Sequence, residues 1–230
     1  NMEWHVRQCA KPQEEIAKAN YSKIRLFDVP GHTVHPLPQR EGKGSWRVCS
    51  SDSVARFSAT GYYFGRRIHL SLGVPVGLIG SNWGGTRIEP WTTLDGFKSV
   101  SELSEEAKNV AAYTKDTKVN GRTPSAIYNS MVHPLTPYAL RGAIWYQGES
   151  NGNEGITYYQ KKHALVKGWR KAFQNPELGF YWVQLCNFRK PNVMEVKDPK
   201  KEESKPKPQK KKEQESNVVE EHSVEVLKKA

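Results

Sequence analysis

Three short apolar runs alternate with helical patterns along most of the chain, and this order limits the possible folds more than any other feature. The runs cover residues 74–80, 140–146 and 179–185, and such runs are typical of strands buried in a parallel sheet. Residue patterns between and before them predict helices over residues 52–72, 101–113 and 156–173. This order predicts an α/β fold, a three-layer α/β/α sandwich with a mainly parallel sheet.

The segment before the first run adds one helix and one strand to this prediction. Residues 11–19 carry Pro near the start and acidic residues in the first turn, as a helix should. Alternating side chains predict a short strand over residues 24–29, and prolines then mark a long loop. Because ligands bind at the carboxyl ends of strands in such folds, the loops 81–86 and 147–151 are the first places to look for function.

The composition changes near residue 192. After that point Leu227 is the single residue among the types Trp, Tyr, Phe, Ile and Leu. Residues 200–215 mix Lys, Glu, Pro and Gln without apolar periodicity, and such a segment cannot bury enough surface to order itself. We therefore predict a domain over residues 1–192, a disordered Lys/Glu/Pro-rich insertion or linker over 193–216, and a short helix over 217–230.

The net charge of +11 lies almost wholly before residue 193, because the tail carries nearly equal numbers of Lys and acidic residues. The basic residues of the predicted domain are scattered and do not alternate with aromatic residues along one element. This pattern argues against a nucleic-acid partner and is compatible with a surface that favours anionic sugars or aids solubility.

The cysteine count and the hydropathy bear on metal sites, disulfides and membrane spans. Cys9, Cys49 and Cys186 form no Cys-x-x-Cys pair, so we expect no metal site, and one disulfide of undetermined pairing is possible. No apolar run reaches the roughly 18 residues that a membrane span needs. The chain opens on Asn1 rather than Met, from which we expect the true N-terminus to lie upstream.

A Gly-x-Ser-x-Gly pattern comes after the second apolar run, with Ser150 at its centre. This pattern marks the nucleophile of α/β-hydrolases, in which an acid and a histidine occur later in the chain. The two later histidines are His163, inside a predicted helix, and His222, in the polar tail. A loop serine that caps the next helix is therefore the favoured interpretation, and Ser150 as a nucleophile is the alternative.

The turn after the first apolar run reads Trp83-Gly84-Gly85-Thr86. Paired glycines let backbone N–H groups approach a ligand closely, and such groups can stabilise the oxyanion of an acyl-transfer reaction. A plain tight turn is the simplest interpretation of this segment alone. A phosphate loop is disfavoured, because the Lys-Ser/Thr pair of that motif is missing and Arg87 does not replace it.

Four segments together resemble sialate O-acetylesterases, a family of SGNH hydrolases. The segments 74–91, 125–135 and 140–151 are similar to three family blocks. Asn1-Met2-Glu3-Trp4 resembles the residues directly after the nucleophile in the family's Gly-Gln-Ser-Asn-Met motif. The resemblance covers about residues 1–190. It implies a flavodoxin-like SGNH fold that is incomplete at both ends of this chain.

The resemblance also implies roles for particular residues. The nucleophilic serine is expected just before Asn1, outside the chain. The oxyanion hole is expected to use the backbone N–H of Gly85, or of Gly84, together with the side-chain amide of Gln147. Glu149 is expected to brace this loop, with acid–base chemistry as the lesser option. Three residues are expected either to shape the substrate pocket or simply to pack: Trp83, Asn129 and Trp145.

The histidine of the family motif Asp-x-x-His is also missing from this chain. No such motif occurs after Leu185, and His133 is expected to pack or hydrogen-bond near the site rather than act as a base. We therefore expect the chain alone to be inactive. The strand that leads to the nucleophile is expected to be absent too, which would expose the backbone edges of its neighbours.

The substrate that the resemblance implies is an O-acetylated sugar, either sialic acid or an acetylated xylan-type polysaccharide. Hydrolysis of either substrate requires no metal and no organic cofactor. The family resemblance also implies a secreted or periplasmic protein. The oligomeric state is left open. The competing class is a non-catalytic carbohydrate-binding module, in which the same loops hold sugar without chemistry.

Overall fold

The computed structural model describes residues 1–186, and the chain divides into two units, Asn1–Leu185 and Cys186–Ala230. All strands and helices among the described residues belong to the first unit. The predicted boundary at residue 192, the linker over 193–216 and the helix over 217–230 lie outside the described residues.

The first sheet has three strands in the order β2-β1-β3 and is mixed. Strand β1 (Asn20–Asp28) pairs antiparallel with β2 (Trp46–Ser50) and parallel with β3 (Val76–Gly80). In the parallel pair Leu26 lies opposite Leu78. The hairpin partner β2 was not predicted, because its five residues carry no clear alternation.

The second sheet pairs β4 (Gly142–Trp145) with β5 (Gly179–Trp182) in parallel. The crossover between them is the long helix α6 (Ile156–Ala172), as a parallel pair requires. The α/β class is therefore present, but the two sheets are small and one is mixed. The predicted three-layer sandwich with one mainly parallel sheet is not confirmed.

The helices agree closely with the apolar patterns, with one division. The predicted helix over 52–72 is in fact two helices, α2 (Ser51–Val54) and α3 (Ala59–Leu72). The second helix begins after Ser58, because the Ser58 side-chain oxygen accepts a hydrogen bond from the backbone N–H of Gly61 at 3.1 Å. The other helices are α1 (Pro12–Lys18), α4 (Leu94–Lys98) and α5 (Ser104–Ala111).

Helix α6 is held against α4 by two glycines. A Cβ at Gly96 would collide with the carbonyl oxygen of Ala164, and one at Gly168 would collide with the hydroxyl of Thr93. Only glycine permits this approach. The contact fixes the second half of α6 against α4.

Two larger hydrophobic clusters flank the sheets. One surrounds β1, α2 and α3 and includes Ile24, Phe57 and Tyr62, while the other lies under α6 and includes Leu165 and Trp169. The three cysteines are free thiols. Within residues 1–186 no helix is long and apolar enough to cross a bilayer.

Candidate active site

The loops that leave β3 and β4 meet, as the strand–loop pattern predicted. The side-chain amide nitrogen of Gln147 donates to the carbonyl oxygen of Thr86 at 3.1 Å, and the hydroxyl of Ser150 donates to that of Gly85 at 3.0 Å. The carboxyl ends of the two strands therefore lie at one end of the domain. The strands themselves are not paired with each other.

The side chain of Gln147 is held in one orientation. Its amide nitrogen also donates to Oδ1 of Asn151 at 2.8 Å, and its Oε1 accepts from the hydroxyl of Tyr158 at 2.9 Å. The same hydroxyl lies 3.0 Å from the backbone oxygen of Gln147. These contacts lock the loop after β4, and the role of Gln147 as an oxyanion donor stays a prediction.

The two glycines of the turn differ in what their N–H groups contact. Gly84 N–H donates to Oε2 of Glu3 at 2.5 Å, so this donor already binds a carboxylate oxygen. Gly85 has φ 73°, and nothing lies within 4 Å of where its Cβ would be. Its N–H donates to no residue among 1–186. Gly85 therefore leaves an open space beside a backbone donor, as an oxyanion site needs.

Glu3 also orders the outer wall of the site. Its second carboxylate oxygen lies 2.6 Å from Nε2 of His32, and the His32 ring stacks on Trp83 with centroids 4.5 Å apart. The chain start is tied to the other loop, because Nδ2 of Asn1 donates to Oε1 of Glu149 at 2.6 Å. Glu149 thus accepts a hydrogen bond next to the position predicted for the nucleophile.

Four charged side chains beneath the loops form an ion-pair network that the sequence interpretation missed. Lys161 Nζ lies 2.6 Å from Oε1 of Glu89 and 2.8 Å from Oε2 of Glu154, and Arg87 contacts both carboxylates. Lys161 and Glu89 are buried, at 6% and 8% exposure. Two cations balance two carboxylates, so the buried network is neutral overall.

The network reaches the loop after β4 through Asn151. Its Nδ2 donates to Oε2 of Glu89 at 3.2 Å, while its Oδ1 accepts from the backbone N–H of Ile88 at 3.1 Å. Burial by itself opposes ionisation of Glu89, but hydrogen bonds, that from Lys161 first, outweigh it, and the pKa of Glu89 is lowered. The ionised network therefore positions both loops from below.

A signal for this network exists in the sequence. The buried face of α6 consists of Lys161, Ala164, Leu165, Gly168 and Trp169. These positions have the spacing of one helix face, so Lys161 falls on the apolar face rather than on the solvent side. A lysine at such a position needs a buried counter-charge, and Glu89 provides it.

The remaining predicted residues lie in different places. Trp83 and Trp145 line the large cavity beside β3 and β4, whereas Asn129 and His133 line a separate pocket. Asn129 is buried, and its Nδ2 donates to the carbonyl oxygen of Pro36 at 2.8 Å. His133 Nδ1 contacts the carbonyl oxygen of Gln39 at 2.7 Å. Asn129 and His133 therefore anchor the loop between β1 and β2.

Ser150 lacks the surroundings of a nucleophile elbow. It lies in a 3₁₀ turn (Glu149–Asn151), is not among the described residues with positive φ, and donates to a carbonyl oxygen. His163 lies on α6, with its ring 4.5 Å from that of Tyr159. Among residues 1–186 no serine hydroxyl is hydrogen-bonded to a histidine. The geometry therefore favours a structural role for Ser150. The predicted cap of the next helix is wrong, because the N-cap of α6 is Gly155 and the Ser150 hydroxyl bonds to Gly85 instead.

Several classes of enzyme share an α/β fold in which hydrogen-bond donors lie at the carboxyl ends of the strands. Comparison with known proteins identifies the class. Residues 46–223 match the family model described as carbohydrate esterase, sialic acid-specific acetylesterase. The chain belongs to this family of acetylesterases, which are hydrolases, and the resemblance seen in the sequence is confirmed.

Individual relatives agree with the family match. The chain is 30% identical over 188 residues to a sialate O-acetylesterase of Homo sapiens, covering 78% of this chain and 35% of that protein. It is 28% identical over 226 residues to the sialate O-acetylesterase of Rattus norvegicus, covering 82% and 42%. The chain thus spans well under half the length of these relatives.

A solved structure is similar as well. A carbohydrate acetylesterase from Xanthomonas citri superposes with a TM-score of 0.68 at 32% sequence identity, covering 81% of this chain and 39% of that one. This similarity supports the α/β fold and agrees with the family assignment.

Proposed function

We propose that this chain supplies the oxyanion-binding part of a carbohydrate O-acetylesterase. The reaction is hydrolysis of O-acetyl esters on a sugar, with a serine directly before Asn1 as the nucleophile. The observation that carries the proposal is the meeting of the Gly85 and Gln147 loops beside Asn1, which Glu149 holds at 2.6 Å. A nucleophile attached to Asn1 would thus lie next to both candidate donors.

The proposed roles derive from the chemistry of acyl transfer. Attack of the serine oxygen on the acetyl carbonyl places a negative charge on the carbonyl oxygen. Gly85 N–H has no partner among residues 1–186, so it donates to this oxygen without losing another bond. Gln147 contributes a second donor by exchanging its 3.1 Å bond to Thr86 for the oxyanion.

The same chemistry makes the chain by itself inactive. A serine hydroxyl becomes a useful nucleophile when an imidazole accepts its proton, and a carboxylate must orient that imidazole. No serine–histidine pair of this kind exists among residues 1–186. The oxyanion donors of the two loops therefore need a nucleophile and a base that residues other than 1–186 supply.

The first test measures 4-nitrophenyl acetate turnover by the purified chain. We expect a rate no higher than that of the Ser150→Ala variant. A rate well above background that Ser150→Ala abolishes would assign the nucleophile to Ser150 and overturn the proposal.

The second test uses a reading frame that extends upstream to include a Ser codon directly before Asn1 and downstream to include an Asp-x-x-His motif, so that both the nucleophile and its base are present. With O-acetylated sialic acid and acetylated xylan as substrates, Gln147→Leu should lower kcat about 10²–10³-fold with little change in KM, because it removes a transition-state donor. Gln160→Leu is the control, since Gln160 is half-buried and its amide donates to Glu102 rather than to either loop.

The outcomes of this second test are distinct. Equal kcat in the Gln147→Leu and Gln160→Leu variants would remove Gln147 from the oxyanion site. Sugar binding without turnover in the extended protein would favour the carbohydrate-binding module instead. The ratio of rates on the two substrates would show which acetylated sugar is preferred.

A further inference from the structure

A second cavity, of about 460 Å³, lies beside helices α4, α5 and α6. Its walls come from the loop between β1 and β2, the start of α4, the carboxyl ends of α5 and α6, and the residues around Asn129. It shares no lining residue with the large cavity beside β3 and β4. The loops around Gly85 and Gln147 therefore contribute nothing to this second cavity.

The hydroxyl of Tyr128 is a polar group without a partner at the second cavity. The Tyr128 side chain lines the cavity and is buried, at 4% exposure, and no residue among 1–186 forms a hydrogen bond with its hydroxyl. Burial first, and the Asp95 carboxylate second, raise the pKa of Tyr128, so this hydroxyl stays protonated at neutral pH. A buried group of this kind is expected to bind water or a ligand.

Asn129 adds a hydrogen-bond acceptor to the same cavity. Its side-chain nitrogen donates to the carbonyl oxygen of His35 at 3.2 Å and to that of Pro36 at 2.8 Å, which fixes the orientation of the amide. Its Oδ1 accepts no hydrogen bond within the described part of the chain, although the residue is buried. Because an amide oxygen only accepts, the group that satisfies Oδ1 has to be a donor.

His133 adds a second acceptor. Its Nδ1 lies 2.7 Å from the carbonyl oxygen of Gln39, and since a carbonyl oxygen only accepts, Nδ1 carries the hydrogen of the neutral ring. The other ring nitrogen, Nε2, then has a free lone pair, and no donor among residues 1–186 reaches it. The second cavity therefore has two side-chain acceptors and one tyrosine hydroxyl that are free to bind a ligand.

The charges at the mouth of the cavity cancel. Asp95 and Lys171 are exposed lining residues, and Lys171 Nζ lies 2.9 Å from Oδ2 of Asp95. A compensated pair adds no net charge that would attract an anion or a cation. A ligand with a carboxylate would also meet the lone pairs of Asn129 and His133. The lining therefore favours an uncharged ligand that is rich in hydrogen-bond donors.

The remaining walls are mainly apolar. Pro36, Leu94 and Val110 line the cavity together with Tyr113. The volume falls in the range of about 300–1,000 Å³ that is typical of small-molecule sites, and such sites combine apolar walls with a few polar groups. A sugar ring fits this combination, because its C–H faces are apolar and its edges carry hydroxyl donors.

We propose that the second cavity binds one uncharged sugar ring, a neutral pyranose. Ring hydroxyls donate to Oδ1 of Asn129 and Nε2 of His133, the Tyr128 hydroxyl bonds a third ring oxygen, and ring carbons pack against Pro36 and Val110. The same set of acceptors disfavours an acidic sugar. The proposal does not rest on the proposed hydrolysis, because neither Gly85 nor Gln147 lines this cavity.

The test titrates methyl β-D-xylopyranoside into the full chain labelled with ¹⁵N and follows the backbone amide resonances. We expect shifts at Ala111, Tyr113 and Ala172, which line the cavity. The dissociation constant should be about 1–10 mM, as the size of this ligand allows. N-acetylneuraminic acid should bind at these residues roughly tenfold more weakly, because no free cation balances its carboxylate.

Two variants with matched controls locate the sugar. Tyr128→Phe removes a hydroxyl that has no partner among residues 1–186, so the dissociation constant should rise roughly threefold to tenfold without loss of a contact in the fold. Tyr159→Phe is its control, since Tyr159 is exposed on α6. Ala111→Trp narrows the mouth of the cavity and should abolish binding. Ala112→Trp is its control, because Ala112 is exposed but does not line the cavity.

Several outcomes would overturn the proposal. These are the absence of any shift at the solubility limit of the sugar, equal dissociation constants for Tyr128→Phe and Tyr159→Phe, and tighter binding of N-acetylneuraminic acid than of the xyloside. Shifts confined to Trp83 and Gly85 would place the sugar in the large cavity and overturn it as well. If Ala111→Trp does not fold, the comparison of the two Phe variants, with circular dichroism as the check of folding, decides by itself.

Discussion

The carboxyl ends of β3 and β4 and the facing edges of these strands differ in how completely their polar and apolar groups have partners. At the carboxyl ends, Gln147, Asn151, Glu89 and Lys161 are joined by hydrogen bonds that leave each charge compensated. In the groove, which is the large cavity lined by β3 and β4, the strand edges have no neighbour among residues 1–186 and their apolar side chains are half-exposed. The site loops are therefore held by polar contacts of their own, which do not involve the free edges of β3 and β4.

The largest effect should come from breaking the network. Lys161→Met leaves the buried Glu89 carboxylate without its main partner, and we expect the free energy of unfolding to fall by about 3–5 kcal/mol. Chemical denaturation at pH 7 measures this change. Lys167→Met is the control on the same helix, because the Lys167 side chain is exposed and lies 3.4 Å from a carbonyl oxygen of Ser99. Equal stability of the two variants would show that the network contributes nothing.

The lowered pKa of Glu89 adds a pH dependence to this prediction. A folded-state pKa below the unfolded value of 4.5 means that the ionised network stabilises the fold above that pH and loses this effect as the pH falls through the folded value. The difference between wild type and Lys161→Met should therefore shrink in acid. A difference that stays constant down to pH 3 would contradict it.

A comparison of two apolar truncations tests the contrast between core and groove. Leu165 is fully buried on α6 at 0% exposure, so Leu165→Ala should cost about 2–5 kcal/mol. Ile144 is half-buried at the groove, so Ile144→Ala should cost about 1 kcal/mol, since less surface is removed from contact. Urea denaturation of both variants checks the order, and equal losses would mean that the groove is as well packed as the core.

The last prediction concerns Asp28, at the end of β1, where we expect a substitution to stabilise the fold. Burial raises the pKa of this carboxyl to about 6, although Arg47 at 3.7 Å opposes the shift. A folded pKa above the unfolded value of 3.8 means that ionisation destabilises the fold as the pH rises through this interval. Asp28→Asn should therefore be more stable by about 2 kcal/mol above pH 7, after allowance for partial solvent screening.

The gain from Asp28→Asn should disappear below about pH 4, where the carboxyl is protonated in both states. Thermal unfolding of the variant and the wild type at pH 4 and pH 8 measures it. A stability difference that is the same at both values would show that packing, rather than charge, explains the effect.

The helices and strands with a strong apolar periodicity were predicted well, whereas elements that form only through contacts with distant residues were not predicted. The helix predicted over 156–173 is Ile156–Ala172, because its apolar face is continuous. Strand β2 was missed because it forms through pairing with β1, which no local pattern encodes. The network of Arg87 and Glu154 was missed because charges in a sequence are ordinarily assigned to the solvent side, and only folding brings these two together.

The order of residues was enough to establish the α/β class, the positions of the loops after β3 and β4, and the acetylesterase family, because these depend on local periodicity and on long motifs. Two further features emerged only in the folded chain: the strands fall into two sheets, and a buried ion network supports the loops. Hydrogen bonds between strands and the pairing of buried charges are contacts between residues distant in the chain, so their partners are settled only when the backbone has folded.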